Sequence, residues 1–294
     1  MLINKKYTLL YGIKSTYKDF IMLSIFTTIL FLSHHYTNYF TMFMPISISA
    51  FSGTAISLIL SFNLAQSYDR WWEGRKIWGA IVNDSRSLAL QLKRFTTEAD
   101  TAKYKKIIKL QIVWNYAVVS MLRKNDIDGK SLKYLNNKDK KSFANAQHKP
   151  LWIYNKIQAE LKEFTSLNTY EQIQIDSTLT RLVAHMGKLE RIKNTRFPME
   201  YQLVLHASIY IFLAFLSLSL ANLKHHWEIF MLIFIAVPFF LLEATAKHLQ
   251  NPFEGLPPDV PMYSISRNIE INLLTLIEEP EIPQPIKSNG FYLN

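Results

Sequence analysis

No Lys, Arg, Asp or Glu occurs between Asp19 and Asp69, and His34 and His35 are the only side chains in that run that ionise near neutral pH. About 20 apolar residues in a helix cross a hydrocarbon core roughly 30 Å thick. The run is long enough for two crossings, about 20–36 and 41–67, joined by the uncharged connector 38–45. Two further apolar segments, 201–222 and 227–246, are joined by Asn222-Leu223-Lys224-His225-His226. The last one holds Pro238 and is bounded by Glu228 and Glu243. A proline is tolerated in a membrane helix when neighbours satisfy the freed carbonyl, and Glu243 is expected at the membrane interface. Between the two pairs of crossings the pattern changes. Ile107, Ile108, Ile112, Val113, Trp114 and Tyr116 recur at helical spacing, and 151–165 and 171–193 show similar stripes broken by charges. Gly129 and 136–141 mark a loop. No strand-like alternation persists. Prolines gather at 252–261 and 280–285, and the tail from Glu278 is expected to run extended over a neighbouring surface.

The pattern predicts an all-α membrane protein with four transmembrane helices per subunit and a cytosolic helical body. The expected divisions are 1–69 (N-terminal segment and crossings one and two), 70–196 (cytosolic helical region), 197–247 (crossings three and four) and 248–294 (cytosolic C-terminal segment). Met1–Lys18 is cationic and leads into an apolar segment without a small-residue cleavage site, so it reads as a retained first crossing. The formal net charge is +10. Basic residues collect in cytoplasmic loops, and here they flank the crossings: Lys5, Lys6, Lys14 and Lys18 before the first, Arg70, Arg75 and Lys76 after the second, Lys193 and Arg196 before the third, Lys247 after the fourth. This places both termini in the cytosol, with Lys224 as one contrary charge, and makes nucleic acid an unneeded explanation of the basicity. There is no cysteine, hence no disulfide or thiolate metal site.

Within the second crossing Ser49, Gly53, Ser57 and Ser61 lie four apart and form a small-residue face that lets helices approach closely. One residue on, Ala50, Thr54, Leu58 and Phe62 form a second stripe. From the residues alone both stripes can pack, or one can line an axis. The chain then leaves the apolar run at Arg70-Trp71-Trp72-Glu73-Gly74-Arg75, followed by Trp78-Gly79 and Asn83-Asp84-Ser85-Arg86-Ser87. Trp and basic stems suit the headgroup region. Glu73, Arg75, Asp84 and Arg86 are candidates for ion pairs between subunits.

This block resembles the bestrophin family in its bacterial branch. In-order matches continue at Leu189-Glu190-Arg191-Ile192, Pro198, Asn251-Pro252-Phe253, Asp259-Val260-Pro261 and Arg267-Asn268-Ile269-Glu270. The resemblance implies a homopentameric ion channel around one central pore in the bacterial inner membrane. It also implies a hydrophobic neck of three residues spaced by four and ending eight before the Arg-Trp pair, which here are Thr54, Leu58 and Phe62. Thr54 stands where the family usually has a larger apolar residue. A hydrophobic neck gates by dewetting. The family's second constriction, at the cytosolic end, falls on Ile173 or Ile175, and core packing is the other reading of both. Animal members bind calcium with an acidic cluster after Asn-Pro-Phe; here only Glu254 and Asp259 follow, too few oxygens for a hard cation.

Catalytic patterns are lacking. Eight glycines form no phosphate loop, and adjacent histidines (His34-His35, His225-His226) diverge on a helix. Asp126-Ile127-Asp128-Gly129 lacks the first acid of a calcium loop, since Lys124 occupies it. No cofactor, metal site or enzymatic activity is expected. The expected partners are further copies of the chain, membrane lipids and monovalent ions. The neck offers no cationic side chain, and with the bacterial resemblance this tips the expectation toward cations such as sodium. A chloride channel of the same architecture is the alternative, and a membrane-embedded enzyme acting on a lipid, with Asn83, Asp84 and Arg86 as its polar cluster, is the alternative of another class.

Overall fold

A computed structural model describes residues 16–36, 44–127, 129, 131–195, 198–220 and 227–288, without the side chains of residues 34–36. Lys5, Lys6, Lys14, the 38–43 part of the connector, Asp128, Arg196 and the 222–226 loop lie outside the described residues. Among the described residues all regular structure is helical: α1 (Tyr17–Tyr36), α2 (Ile46–Phe95), α3 (Thr101–Arg123), α4 (Asn137–Ala144), α5 (Lys149–Leu161), α6 (Thr169–Asn194), α7 (Met199–Leu220), α8 (Trp227–Gln250) and α9 (Met262–Leu276), with short 3₁₀ turns at Glu98–Asp100 and Ser131–Tyr134. Pro238 is accommodated within α8.

Two compact units divide the chain between Arg70 and Trp71, between Thr195 and Arg196, and between Gln250 and Asn251. The apolar unit takes α1, the first part of α2, α7 and α8. Its core is Leu23, Ile56, Ile209, Phe212, Leu213, Leu216, Leu232, Ala236 and Phe240. Three described helices are long and apolar enough to cross a membrane: α2, α7 and α8. Four were expected. The shortfall is α1, a helix of 20 residues that carries Lys18 and Asp19 at one end and His34 and His35 at the other, so its apolar stretch is short.

The second unit is an amphipathic helical body. Trp78, Ile81, Trp114, Leu182, Leu189 and Phe253 lie in one continuous core. Local signals fix its helix ends. Asn136 accepts from the Asp139 N–H at 2.7 Å and starts α4. Asn168 and Glu171 form a reciprocal capping box at the start of α6, with N–H to side-chain distances of 3.0 and 2.9 Å. α3 ends at Lys124 in the left-handed conformation. The residues from 279 to 288 carry no regular structure, as the prolines there require.

Candidate functional site

Inside the apolar unit, α2 buries Ser49, Gly53, Ile56, Leu60, Asn63 and Ser67. Ser49 Oγ donates to the Phe215 carbonyl at 2.9 Å and lies 2.6 Å from Ser219 Oγ. At Gly53 a Cβ would lie 2.9 Å from the Phe212 ring, so only glycine permits this approach to α7. Ser57 and Ser61, expected on the same packed face, are exposed. A spacing of four advances about 40° around a helix of 3.6 residues per turn, so three such steps carry Ser61 about 120° away from Ser49. The packed face instead follows alternating steps of three and four.

Thr54, Leu58 and Phe62 lie on the exposed side. Leu58 is 58% and Phe62 59% exposed. Leu58 stands two residues from buried Leu60, about 200° around the axis. The Thr54 hydroxyl donates to the Ala50 carbonyl at 2.8 Å, which leaves its methyl as the outward surface. The stripe is therefore uncharged and open along its length.

In the helical body the two isoleucine candidates part company. Ile173 is 60% exposed in the first turns of α6, whereas Ile175 is 1% exposed and belongs to the core. Positions two apart on a helix cannot share a face, so Ile175 is a packing residue.

The Arg-Trp block makes contacts within its own chain. Arg70 Nε donates to the Gln250 carbonyl at 2.6 Å, and Trp71 Nε1 to the Pro258 carbonyl at 2.9 Å. Trp71 and Trp72 stack, with ring centroids 6.1 Å apart. Glu73 pairs with Arg191 at 2.6 Å. A Cβ at Gly74 would meet the buried Phe253 ring at 3.0 Å. Asp84 takes Arg181 on Oδ1 at 3.0 Å and His185 on Oδ2 at 3.1 Å. The Arg86 guanidinium donates to Asn272 Oδ1 at 2.6 and 2.9 Å. Arg75 lies beside Gly79, its Nη1 3.8 Å from where a Cβ there would stand. These contacts tie α2 to α6, to the 252–261 turn and to α9.

The distant matching segments are structural as well. Glu270 is buried; its Oε2 accepts from Tyr116 OH at 2.7 Å and pairs with Arg267 at 3.2 Å, and its Oε1 accepts from Tyr134 OH at 2.8 Å. Burial, and then this carboxylate, push the Tyr134 phenol well above its ordinary range. Asp259 Oδ2 accepts from the Gly255 and Leu256 N–H groups at 2.7 and 3.0 Å, closing a turn in which Gly255 has φ +92°. Burial pushes the Asp259 carboxyl up to about 6, and the turn's N–H bonds oppose that rise.

One polar cluster was not anticipated. His206 Nδ1 lies 3.0 Å from both oxygens of Glu243, which places Glu243 against α7 rather than merely at the membrane surface. Gln202 donates to Gln250 Oε1, and Gln250 donates to Asn63 Oδ1 and Ser67 Oγ, both at 3.2 Å. The available signal was the occurrence of polar residues inside apolar segments.

Apolar helices long enough to span a bilayer, carried with an amphipathic helical body, define an integral membrane protein of all-helical class. The bacterial and fungal bestrophin family model matches residues 13–275, and the chain belongs to that family. It is 31% identical over 244 residues to the voltage-dependent anion channel-forming protein YneE of Escherichia coli K12, covering 82% of this chain and 79% of that one. It is 29% identical over 250 residues to the voltage-dependent anion channel-forming protein RSc3414 of Ralstonia nicotianae, covering 82% and 80%. A crystal structure of a bacterial bestrophin homologue from Klebsiella pneumoniae matches with TM-score 0.81 at 22% identity, over 93% of this chain and all of that one. The two sequence relatives are named as channel-forming proteins, not as enzymes.

Proposed function

We propose that the chain is one subunit of a homopentameric ion channel of the bacterial inner membrane. Each subunit contributes four crossings, with α1 as the shortest, and both termini, residues 70–196 and the segment from 248 face the cytosol. The observation that carries this reading is the uncharged, exposed stripe Thr54, Leu58 and Phe62, opposite a face of α2 that is already packed. In a ring of five copies that stripe faces the axis and forms a hydrophobic neck, which conducts only when it widens and wets. Ile173 forms the second, cytosolic constriction. Anions are the favoured permeant ions, because the relatives at 29–31% identity are named as anion channel-forming proteins. Cation conduction is the second reading, favoured by the lack of any cationic side chain on the stripe.

Purified protein in planar bilayers under a NaCl gradient tests both levels. Single-channel currents are expected, with a reversal potential near the chloride equilibrium value. A reversal near the sodium value reverses the sign and leaves the channel reading standing; silence in active reconstitutions removes the channel reading.

A further inference from the structure

Asp69 is the first formal charge after the charge-free run that begins at Asp19, and it lies within the continuous helix α2. Its place on that helix follows from spacing. Seven residues separate it from Phe62, which is two turns less about 20°, so Asp69 stands in line with Phe62 and roughly 10 Å further along α2. Like Leu58 and Phe62 it is exposed, and among the described residues its side chain has no hydrogen bond or ion pair. Ionisable groups at the end of an apolar helix face protein partners or water, and this carboxylate has no partner in its own chain. The neighbouring charges are placed differently. Arg70 keeps its charge but lies about 80° from Phe62 around the helix, with its guanidinium on the Gln250 carbonyl at 2.6 Å. Glu73 lies about 20° from Phe62 but pairs with Arg191 at 2.6 Å. Arg75 is turned about 140° away. Lys76 is the next charge near the Phe62 line, about 40° off it and about 21 Å along α2, and it too is exposed without an ion pair among the described residues.

We propose that in the pentamer Asp69 forms a ring of five carboxylates at the cytosolic mouth of the neck, and that this ring raises the share of cations the pore admits. The proposal deepens the channel reading and rests on it, in particular on the Thr54, Leu58 and Phe62 stripe facing the axis. Leu58 and Phe62 offer no polar ligand, so the neck passes an ion only when it wets and does little to choose between signs. The choice then falls on the ions waiting at its mouth, and a ring of acidic side chains enriches cations there. Lys76 is about 10 Å further from the neck than Asp69, a full screening length at physiological salt, and compensates only in part. The effect has one sign whichever ion dominates: the ring supplies a cation preference or holds down an anion preference.

Purified channels in planar bilayers under a NaCl gradient read the sodium-to-chloride permeability ratio. Five unit charges at about one screening length from the axis change that ratio about tenfold. Asp69→Asn is therefore expected to lower the ratio about tenfold, moving the reversal potential toward the chloride equilibrium value. Asp69→Glu, which keeps the charge, is expected to retain most of it, and Lys76→Gln to raise it by less than Asp69→Asn lowers it. The chain has no cysteine, so Asp69→Cys offers a single thiol to charged reagents, with intact mass confirming the modification. A methanethiosulfonate carrying a sulfonate is expected to restore the wild-type ratio, and one carrying a trimethylammonium to lower it further. This second variant decides if Asp69→Asn does not assemble. Conducting Asp69→Asn channels with an unchanged ratio overturn the proposal and leave the channel standing, and so does a modified Asp69→Cys channel whose ratio ignores the attached charge. Silence of the wild type removes the channel reading and this proposal together.

Discussion

Glu270 offers the sharpest test of the view that the distant matching segments build the body rather than the pore. Replacing it with Ala removes one acceptor group from three donors at once: Tyr116 OH at 2.7 Å, Tyr134 OH at 2.8 Å and the Arg267 guanidinium at 3.2 Å. Hydrogen bonds to a charged group are each worth about 1.5–3 kcal/mol. Stripping one partner from a buried ionic pair costs about 3–5 kcal/mol, because the other charge stays behind. The two estimates describe overlapping losses and are not summed, so the expected cost is roughly 3–5 kcal/mol. At about 2–4 °C per kcal/mol for a unit of this size, the midpoint of thermal unfolding in detergent should fall by roughly 10 °C. Tyr134→Phe leaves Glu270 with Tyr116 and Arg267 and should cost only about 1–2 kcal/mol. Glu270→Gln should fall between the two, since an amide can still accept from one tyrosine but does not neutralise Arg267. The assay is loss of the monodisperse size-exclusion peak with temperature. A Glu270→Ala protein within about 2 °C of the wild type would refute the reasoning, as would a Tyr134→Phe protein as damaged as Glu270→Ala.

In the proposed neck, Leu58→Ala or Phe62→Ala should raise conductance or open probability in single-channel recordings, and Thr54→Ala should do less; opening by a change on the Ser49/Gly53/Ser57 face instead would show that the wrong stripe was chosen. Micromolar calcium should not switch the currents on, because Asp259 commits one carboxylate oxygen to two backbone N–H groups; a steep calcium response abolished by Glu254→Gln would contradict this. Asp259 should also leave a pH signature. Its folded value, about 6, lies above the ordinary 3.8, so its stabilising effect is complete below about 3.8 and disappears as pH rises through about 6. The wild type should therefore gain roughly 1 kcal/mol relative to Asp259→Asn between pH 7.5 and pH 5, read as the difference between their unfolding midpoints; a difference flat across that range would rule the mechanism out.

The helical architecture was legible because apolar periodicity and charge-free length report directly on burial and on lipid. The start of α6 was legible too, since Asn168-Thr169-Tyr170-Glu171 has the spacing of a capping box; reading it would have set the phase that separates exposed Ile173 from buried Ile175. The partners of the Arg-Trp block were not legible. Glu73 meets Arg191, and Asp84 meets Arg181 and His185, about a hundred residues away, and no local pattern encodes such pairings. The small-residue stripe misled for a geometric reason, because equal spacing of four drifts off any one face within three steps.

This distribution of charge bears on selectivity. Glu73, Asp84 and Arg86 come immediately after the apolar run and would be natural lining groups for an inner vestibule. Each is instead engaged within its own chain, on Arg191, on Arg181 with His185, and on Asn272. The Glu73 and Asp84 carboxylates, paired at 2.6–3.1 Å, exert a much reduced field on a passing ion, since the partner's opposite field falls on the same point, whereas the neutral Asn272 amide leaves the Arg86 charge in place. The stripe at Thr54, Leu58 and Phe62 contributes no charge either. The +10 balance of the chain is no substitute, because exposed charges are screened over roughly 8–10 Å at physiological salt. Neither the paired carboxylates Glu73 and Asp84 nor the neck then chooses the sign of the ion. In the proposed pore that choice falls to backbone dipoles, ring faces and unpaired side chains at the two mouths, and the neck serves as a barrier that any permeant ion crosses only when water does.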